Sequence, residues 1–123
     1  MPDILTDLYN IIEKRKEERA EGSYTVYLLD AGLDKILKKL GEETAETIIA
    51  AKNLETVVCA ECVSSREPDE RESLKNEAAD MLFHLVVMLY KLGVRPDEIE
   101  TLLRARMLKT GNLKAFRQTD KDS

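Results

Sequence analysis

The sequence predicts an all-α protein, a helical bundle of four to five helices completed by homodimerisation. Three observations carry that expectation. Hydrophobic residues make up 43% and charged residues 35% of 123 positions, with no Trp, Phe 2, Gly 5 and Pro 3, the balance of long amphipathic helices rather than of a sandwich. Apolar residues recur at helical spacing along most of the chain. One long segment is apolar nearly all round, and it needs more partner surface than a single short chain supplies.

The first helix is expected at about residues 3–19, where Ile4, Leu5, Leu8, Ile11 and Ile12 follow Pro2 and Asp3 and the charged run Glu13 to Arg19 forms a solvated end. Glu21, Gly22 and Ser23 break the pattern, and a short turn or helix runs from Ser23-Tyr24-Thr25 to Gly32. From Leu33 the series Leu33, Ile36, Leu37, Leu40, Thr44, Thr47, Ile48 and Ala51 predicts a helix to about Asn53 or beyond. Gly41 lies inside it at a cost of about 1 kcal/mol relative to Ala, which close approach of another backbone or of a ligand would explain. Between Leu54 and Ser73, Val57, Val58 and Val63 extend the helix before Ser64, Ser65, Pro68 and a charged run mark a mobile loop.

The next helix, about residues 70–92, carries Leu74, Ala78, Met81, Leu82, Leu85, Val86, Met88 and Leu89, ends at Gly93, and is expected to be central. A last helix opens at Arg95-Pro96-Asp97-Glu98 and carries Ile99, Leu102 and Leu103. The chain then divides into one domain over residues 1–109, with 54–73 as helix extension and inserted loop, and a polar, fraying tail over 110–123.

The formal net charge of −5 and the lack of a basic block argue against nucleic acid as a partner, since phosphate-backbone binding needs clustered Lys and Arg. No apolar run approaches the roughly 20 residues of a membrane helix and no signal core follows the N-terminus, so no membrane partner is expected and the localisation expected is cytoplasmic. Cys59 and Cys62 form a lone CxxC, and a single histidine cannot complete a zinc site with them, so they read as two half-buried thiols.

Two helices each carry a carboxylate pair three residues apart, Glu43 with Glu46 and Glu77 with Asp80. That step puts both side chains of a pair on one helix face. Alone, either pair is ordinary solvated surface. Glu77 and Asp80, however, sit in an otherwise apolar segment, where an unpaired buried charge is too costly to persist. Carboxylates about 6 Å apart repel by about 3 kcal/mol per pair at an effective dielectric of about 20, so protons or a metal must compensate. Oxygen-only ligands select Mg²⁺, with Mn²⁺ as substitute or Ca²⁺ as competitor, and Mg²⁺ pairs naturally with substrate phosphates. A di-iron bundle would need Glu-x-x-His on two helices, and one histidine cannot supply both. Lys39, Glu43, Glu46, Ala50 and Asn53 share one stripe; Glu77, Asp80, His84, Val87 and Lys91 share another.

These residues closely resemble the phosphoribosyl-ATP pyrophosphatase family, the histidine-biosynthesis branch of the all-α NTP pyrophosphatase (MazG-like) superfamily. The resemblance rests on Ser23-Tyr24-Thr25, on the run from Gly32 through Leu33-Asp34-Lys35-Ile36-Leu37-Lys38-Lys39 to Glu43, on Glu46, on Ala50-Ala51-Lys52-Asn53, and on Glu77-Ala78-Ala79-Asp80-Met81-Leu82-Phe83-His84. It implies Mg²⁺-dependent hydrolysis of N1-(5-phosphoribosyl)-ATP to phosphoribosyl-AMP and pyrophosphate on an α-helical homodimer. It further implies Glu43, Glu46, Glu77 and Asp80 as metal ligands, Glu42, Glu43 and Glu46 as the group holding the base, Lys35, Lys39, Lys52 and Asn53 as polyphosphate contacts, and Ser23, Tyr24 and His84 as pocket residues. The family has a short turn where this chain carries many more residues between Asn53 and Leu74, and a capping Ser or Thr where this chain has Arg95, a loss of about 1 kcal/mol. Two alternatives use the same residues: a house-cleaning pyrophosphatase acting on free NTP or dNTP, and a non-catalytic dimerisation module binding a structural cation.

Overall fold

A computed structural model describes residues 3–58, 65–109, 114 and 117–120. Among them are five α-helices and one short 3₁₀ turn, and no strand. Helix α1 is Ile4–Glu18, α2 Tyr24–Ala31, α3 Leu33–Val58, α4 Glu67–Leu92 and α5 Pro96–Met107. No helix among the described residues is long and apolar enough to cross a membrane. The Cys59 and Cys62 pair lies outside the described residues.

The helix ends follow from local chemistry. Asp3 caps α1 by accepting from the Leu5 N–H at 3.1 Å, and Ser23 caps α2 by accepting from the Val26 N–H at 3.3 Å. Gly32, at φ 100, permits the corner that joins α2 to α3. Beyond α4 the Gly93 N–H donates to the Tyr90 carbonyl at 3.1 Å and the Val94 N–H to the Leu89 carbonyl at 2.9 Å, a Schellman ending with Gly93 left-handed at φ 74.

Two sequence expectations shift, while Arg95 lacks a cap as its side chain implies. Helix α4 starts at Glu67 rather than near residue 70, because Pro68 suits a first turn and Glu67, Asp69 and Glu70 favour its positive end. Gly41 meets no other part of the described chain within 4 Å, so close approach of a second backbone within the chain does not account for it. Arg95 supplies no side-chain cap: its N–H donates to Glu98 Oε2 at 2.6 Å, but a guanidinium has no acceptor with which to return the bond. Its guanidinium instead lies over the Tyr9 ring, 5.0 Å from the centroid, and helps dock α5 on α1.

Helix α4 touches α1, α2 and α3, and its pairing with α3 is the most extensive in the chain. The core gathers Tyr9, Ile12, Leu28, Leu29, Ile36, Val86 and Val87, with Leu5, Leu8, Phe83, Met88 and Tyr90 packed against it. Tyr9 and Tyr90 meet edge to face with centroids 5.2 Å apart. In α3 the buried residues are Ile36, Glu43, Ala50 and Val57, each seven beyond the last, so one coiled-coil-like seam faces α4. This corrects the expected apolar series, since Leu37 is 42% exposed and Ile48 61% exposed and only part of that series enters the core.

Replacing the fully buried Ile36 by Ala should lower unfolding free energy by about 2–5 kcal/mol, whereas Lys75→Ala on the surface should stay within about 0.5 kcal/mol. Urea titrations of both variants against the parent check the contrast.

Candidate active site

The α3 seam that supplies the core also places Glu43 inside the bundle, 8% exposed. On α4, Glu77 is half-buried and Asp80 lies one turn further on at the surface. Glu43, Glu77 and Asp80 each offer a carboxylate oxygen within 4.8 Å of the other two. Glu46, one turn beyond Glu43, bears on both Glu43 and Glu77.

Crowded carboxylates change each other's proton affinity. The neighbouring Glu46 carboxyl pushes Glu77 up to about 7, helped by desolvation and by Glu43. Burial raises Glu43, and Glu46 and Asp80 add to the rise. With the group fully ionised, Oε2 of Glu43 and Oε2 of Glu77 are buried with no donor in the protein. A buried acceptor without a donor is costly, and two of them on residues whose carboxylates converge fit a hard divalent cation or a shared proton.

Below this cluster the chain holds a second polar unit. Tyr24 Oη lies 2.9 Å from His84 Nε2, and His84 Nδ1 lies 2.8 Å from the Asp80 carbonyl. A carbonyl only accepts, so Nδ1 carries the proton, and in the neutral ring Nε2 accepts from the tyrosine hydroxyl. Burial raises the Tyr24 hydroxyl, which keeps it a donor. Phe83 packs edge-on against His84 with centroids 5.2 Å apart, walling the unit. Helix α2 is thereby tied to the helix that carries Glu77 and Asp80.

The remaining sequence candidates occupy distinct places. Glu42 lies outside the seam, paired with Lys39 at 3.0 Å, and that lysine holds its carboxyl below the usual range. Lys39 lies close enough to interact with Tyr24 and Glu43, and Lys35 lies close enough to act on Glu42. Lys52 is exposed and pairs with Glu55 at 2.5 Å. Asn53 lines a cleft of about 150 Å³ with Glu46, Ile49, Ala50, Ser73 and Glu77. Ser23, beside its capping bond, lines a depression of about 530 Å³ with Tyr24 and Tyr27. Ser73 is a residue the sequence reading missed, although its position four before Glu77 puts it on the same helix face.

An all-α fold in which two helices bring carboxylates together around room for a cation defines a class of protein rather than a particular one. The phosphoribosyl-ATP pyrophosphohydrolase family profile matches residues 5–107. The chain belongs to that family. It is 46% identical over 110 residues to a phosphoribosyl-ATP pyrophosphatase of Streptococcus sanguinis, covering 89% of this chain and 91% of that protein. It is 42% identical over 116 residues to the protein of the same name in Clostridium acetobutylicum, covering 94% and 92%.

Because Glu77 binds its proton more tightly folded than unfolded, its contribution to stability is full below the ordinary carboxylate range and is lost as pH rises through about 7. In EDTA the thermal midpoint of the parent should therefore fall, relative to Glu77→Gln, between about pH 5 and pH 8. A saturating divalent cation should reverse the fall at the upper end; parallel curves for the two proteins would contradict it.

Proposed function

We propose that this protein hydrolyses the α–β phosphate bond of N1-(5-phosphoribosyl)-ATP, releasing phosphoribosyl-AMP and pyrophosphate in histidine biosynthesis. The observation that carries the reading is the convergence of Glu43, Glu77 and Asp80 from α3 and α4 in a chain of this family. These three with Glu46 would hold Mg²⁺, for which Mn²⁺ is the natural substitute given the all-oxygen donor set. A bound cation supplies electrostatic stabilisation to the polyphosphate and to the leaving pyrophosphate.

The chain's own residues would do the rest. Lys39 and Lys35, at the lysine end of α3, meet polyphosphate charge. His84, locked by the Asp80 carbonyl and Tyr24, offers a fixed ring beside Asp80 rather than a mobile one. Of the three base candidates, Glu42 is engaged by Lys39 and Glu43 is buried, which favours Glu46, at the cleft, as the group that orients the attacking water. Water adds across the anhydride, and its proton leaves through that carboxylate. A cytoplasmic setting accompanies this reading, because the substrate is a charged nucleotide that does not cross membranes unaided.

A second copy of the chain is the partner we propose. Ile48 on α3, Leu82 on α4, and Leu102 and Leu103 on α5 are exposed apolar side chains. Burying them against another subunit would remove this surface from water.

Pyrophosphate release from phosphoribosyl-ATP, with and without Mg²⁺ and beside a panel of NTPs and dNTPs, tests the reaction. The expected outcome is turnover of phosphoribosyl-ATP that EDTA abolishes; preference for a free NTP would favour the house-cleaning alternative. Asp80→Ala and Glu46→Ala should each lower kcat by at least about 100-fold. Sedimentation should give twice the 14.0 kDa subunit mass, and a monomer at micromolar concentration would remove the dimer.

A further inference from the structure

The cleft beside the carboxylates differs in chemistry from the lysine end of the same helix pair. It holds about 150 Å³, room for a pentose-sized group but not for a whole nucleotide. It is lined by the acids Glu46 and Glu77, the polar Asn53 and Ser73, and the apolar Ile49 and Ala50. Among the described residues no lysine or arginine lines it, so a phosphate group there would face carboxylates without a compensating side chain from them.

Ser73 is uncommitted. Thr44, Thr47, Thr56 and Thr101 each turn the hydroxyl back onto the carbonyl four residues earlier, at 2.8, 2.7, 2.9 and 2.9 Å, whereas the Ser73 hydroxyl makes no hydrogen bond in the described structure. Asn53 likewise spends neither end of its amide on the protein. A half-buried Ser73 and an exposed Asn53, neither hydrogen-bonded within the described protein and both beside carboxylate acceptors, match a group that donates and accepts over an apolar face. Sugar hydroxyls on a ribose ring have that chemistry.

We infer that this cleft takes the ribose bonded to the triphosphate, that Ser73 is a further substrate-binding residue acting with Asn53, and that the polyphosphate runs from there across the carboxylates toward Lys39. The inference rests on the proposed reaction and gives the substrate a direction along α3 and α4. It moves Asn53 from the phosphate chain to the sugar.

The two products separate the ends of the site. Ser73→Ala should raise KM for phosphoribosyl-ATP about 5-fold while kcat stays within about 2-fold, since one hydrogen bond to a bound group is lost. Inhibition by phosphoribosyl-AMP should weaken by the same factor, and inhibition by Mg²⁺-pyrophosphate should not change. Ser73→Leu, which fills the cleft, should weaken phosphoribosyl-AMP further. Ala is the better helix former, so Ser73→Ala is expected to fold, and circular dichroism confirms it. Weakened pyrophosphate inhibition in Ser73→Ala, or parental behaviour toward both products, overturns the inference. Absence of turnover in the parent protein would instead sink the proposed reaction; calorimetric binding of AMP with Mg²⁺ to parent and Ser73→Ala then decides the cleft separately, an unchanged affinity overturning it.

Discussion

Mutual repulsion among carboxylates in a helix seam is the constraint on which this structure turns. Glu43 occupies a position of α3 whose equivalents seven residues away are Ile36 and Ala50, both buried. An apolar residue there would give a more comfortable core. The acid instead leaves an oxygen without a donor inside the bundle, and Glu77 does the same from α4. Such an arrangement persists only if protons or a cation compensate it, and the upward push on both carboxyls is the protein's response when no cation is present.

The scaffold around the seam keeps these groups in place. Two 26-residue helices run side by side, so a side chain on one is positioned against the other over many turns rather than at a single crossing. Helix α2 is short, yet it is fastened at both ends: Ser23 caps its start and Gly32 turns its exit into α3. From it Tyr24 reaches His84, and His84 reaches the backbone of Asp80. The polar chain that fixes the ring therefore also braces the turn that presents a carboxylate. Arg95, poor as a cap, is spent on the Tyr9 face and helps hold α5 to α1.

Charge is distributed unevenly along the helix pair, and the proposed function reads that unevenness as a direction for the substrate. Lys35, Lys38 and Lys39 gather where α3 begins, while Asn53 and Ser73 line the cleft beyond the carboxylates. Cations at one end and neutral donors at the other suit an elongated substrate whose ends differ, a polyphosphate joined to a sugar. The apolar side chains left exposed on α3, α4 and α5 lie apart from that gradient, and they are the surface the proposed second copy would cover.

Helix identity, the acid spacing and most helix ends were legible in the residues, because caps, glycine stops and the 3.6 period act within a few positions of the chain. Glu43, Glu46, Glu77 and Asp80 stood out for the same reason: a three-residue step is local geometry. Which stripe of α3 faces α4 was not legible, since Leu37 and Ile48 are as apolar as Ile36 and only the packing of whole helices selects among them. Ser73 was invisible for a related reason, as a serine gains meaning only when a second helix brings Asn53 and Glu46 into the same cleft. Local periodicity determined the helices and the pairs of acids; helix-on-helix packing decided which acids are buried and which polar groups share a space, because those depend on contacts between residues far apart in the chain.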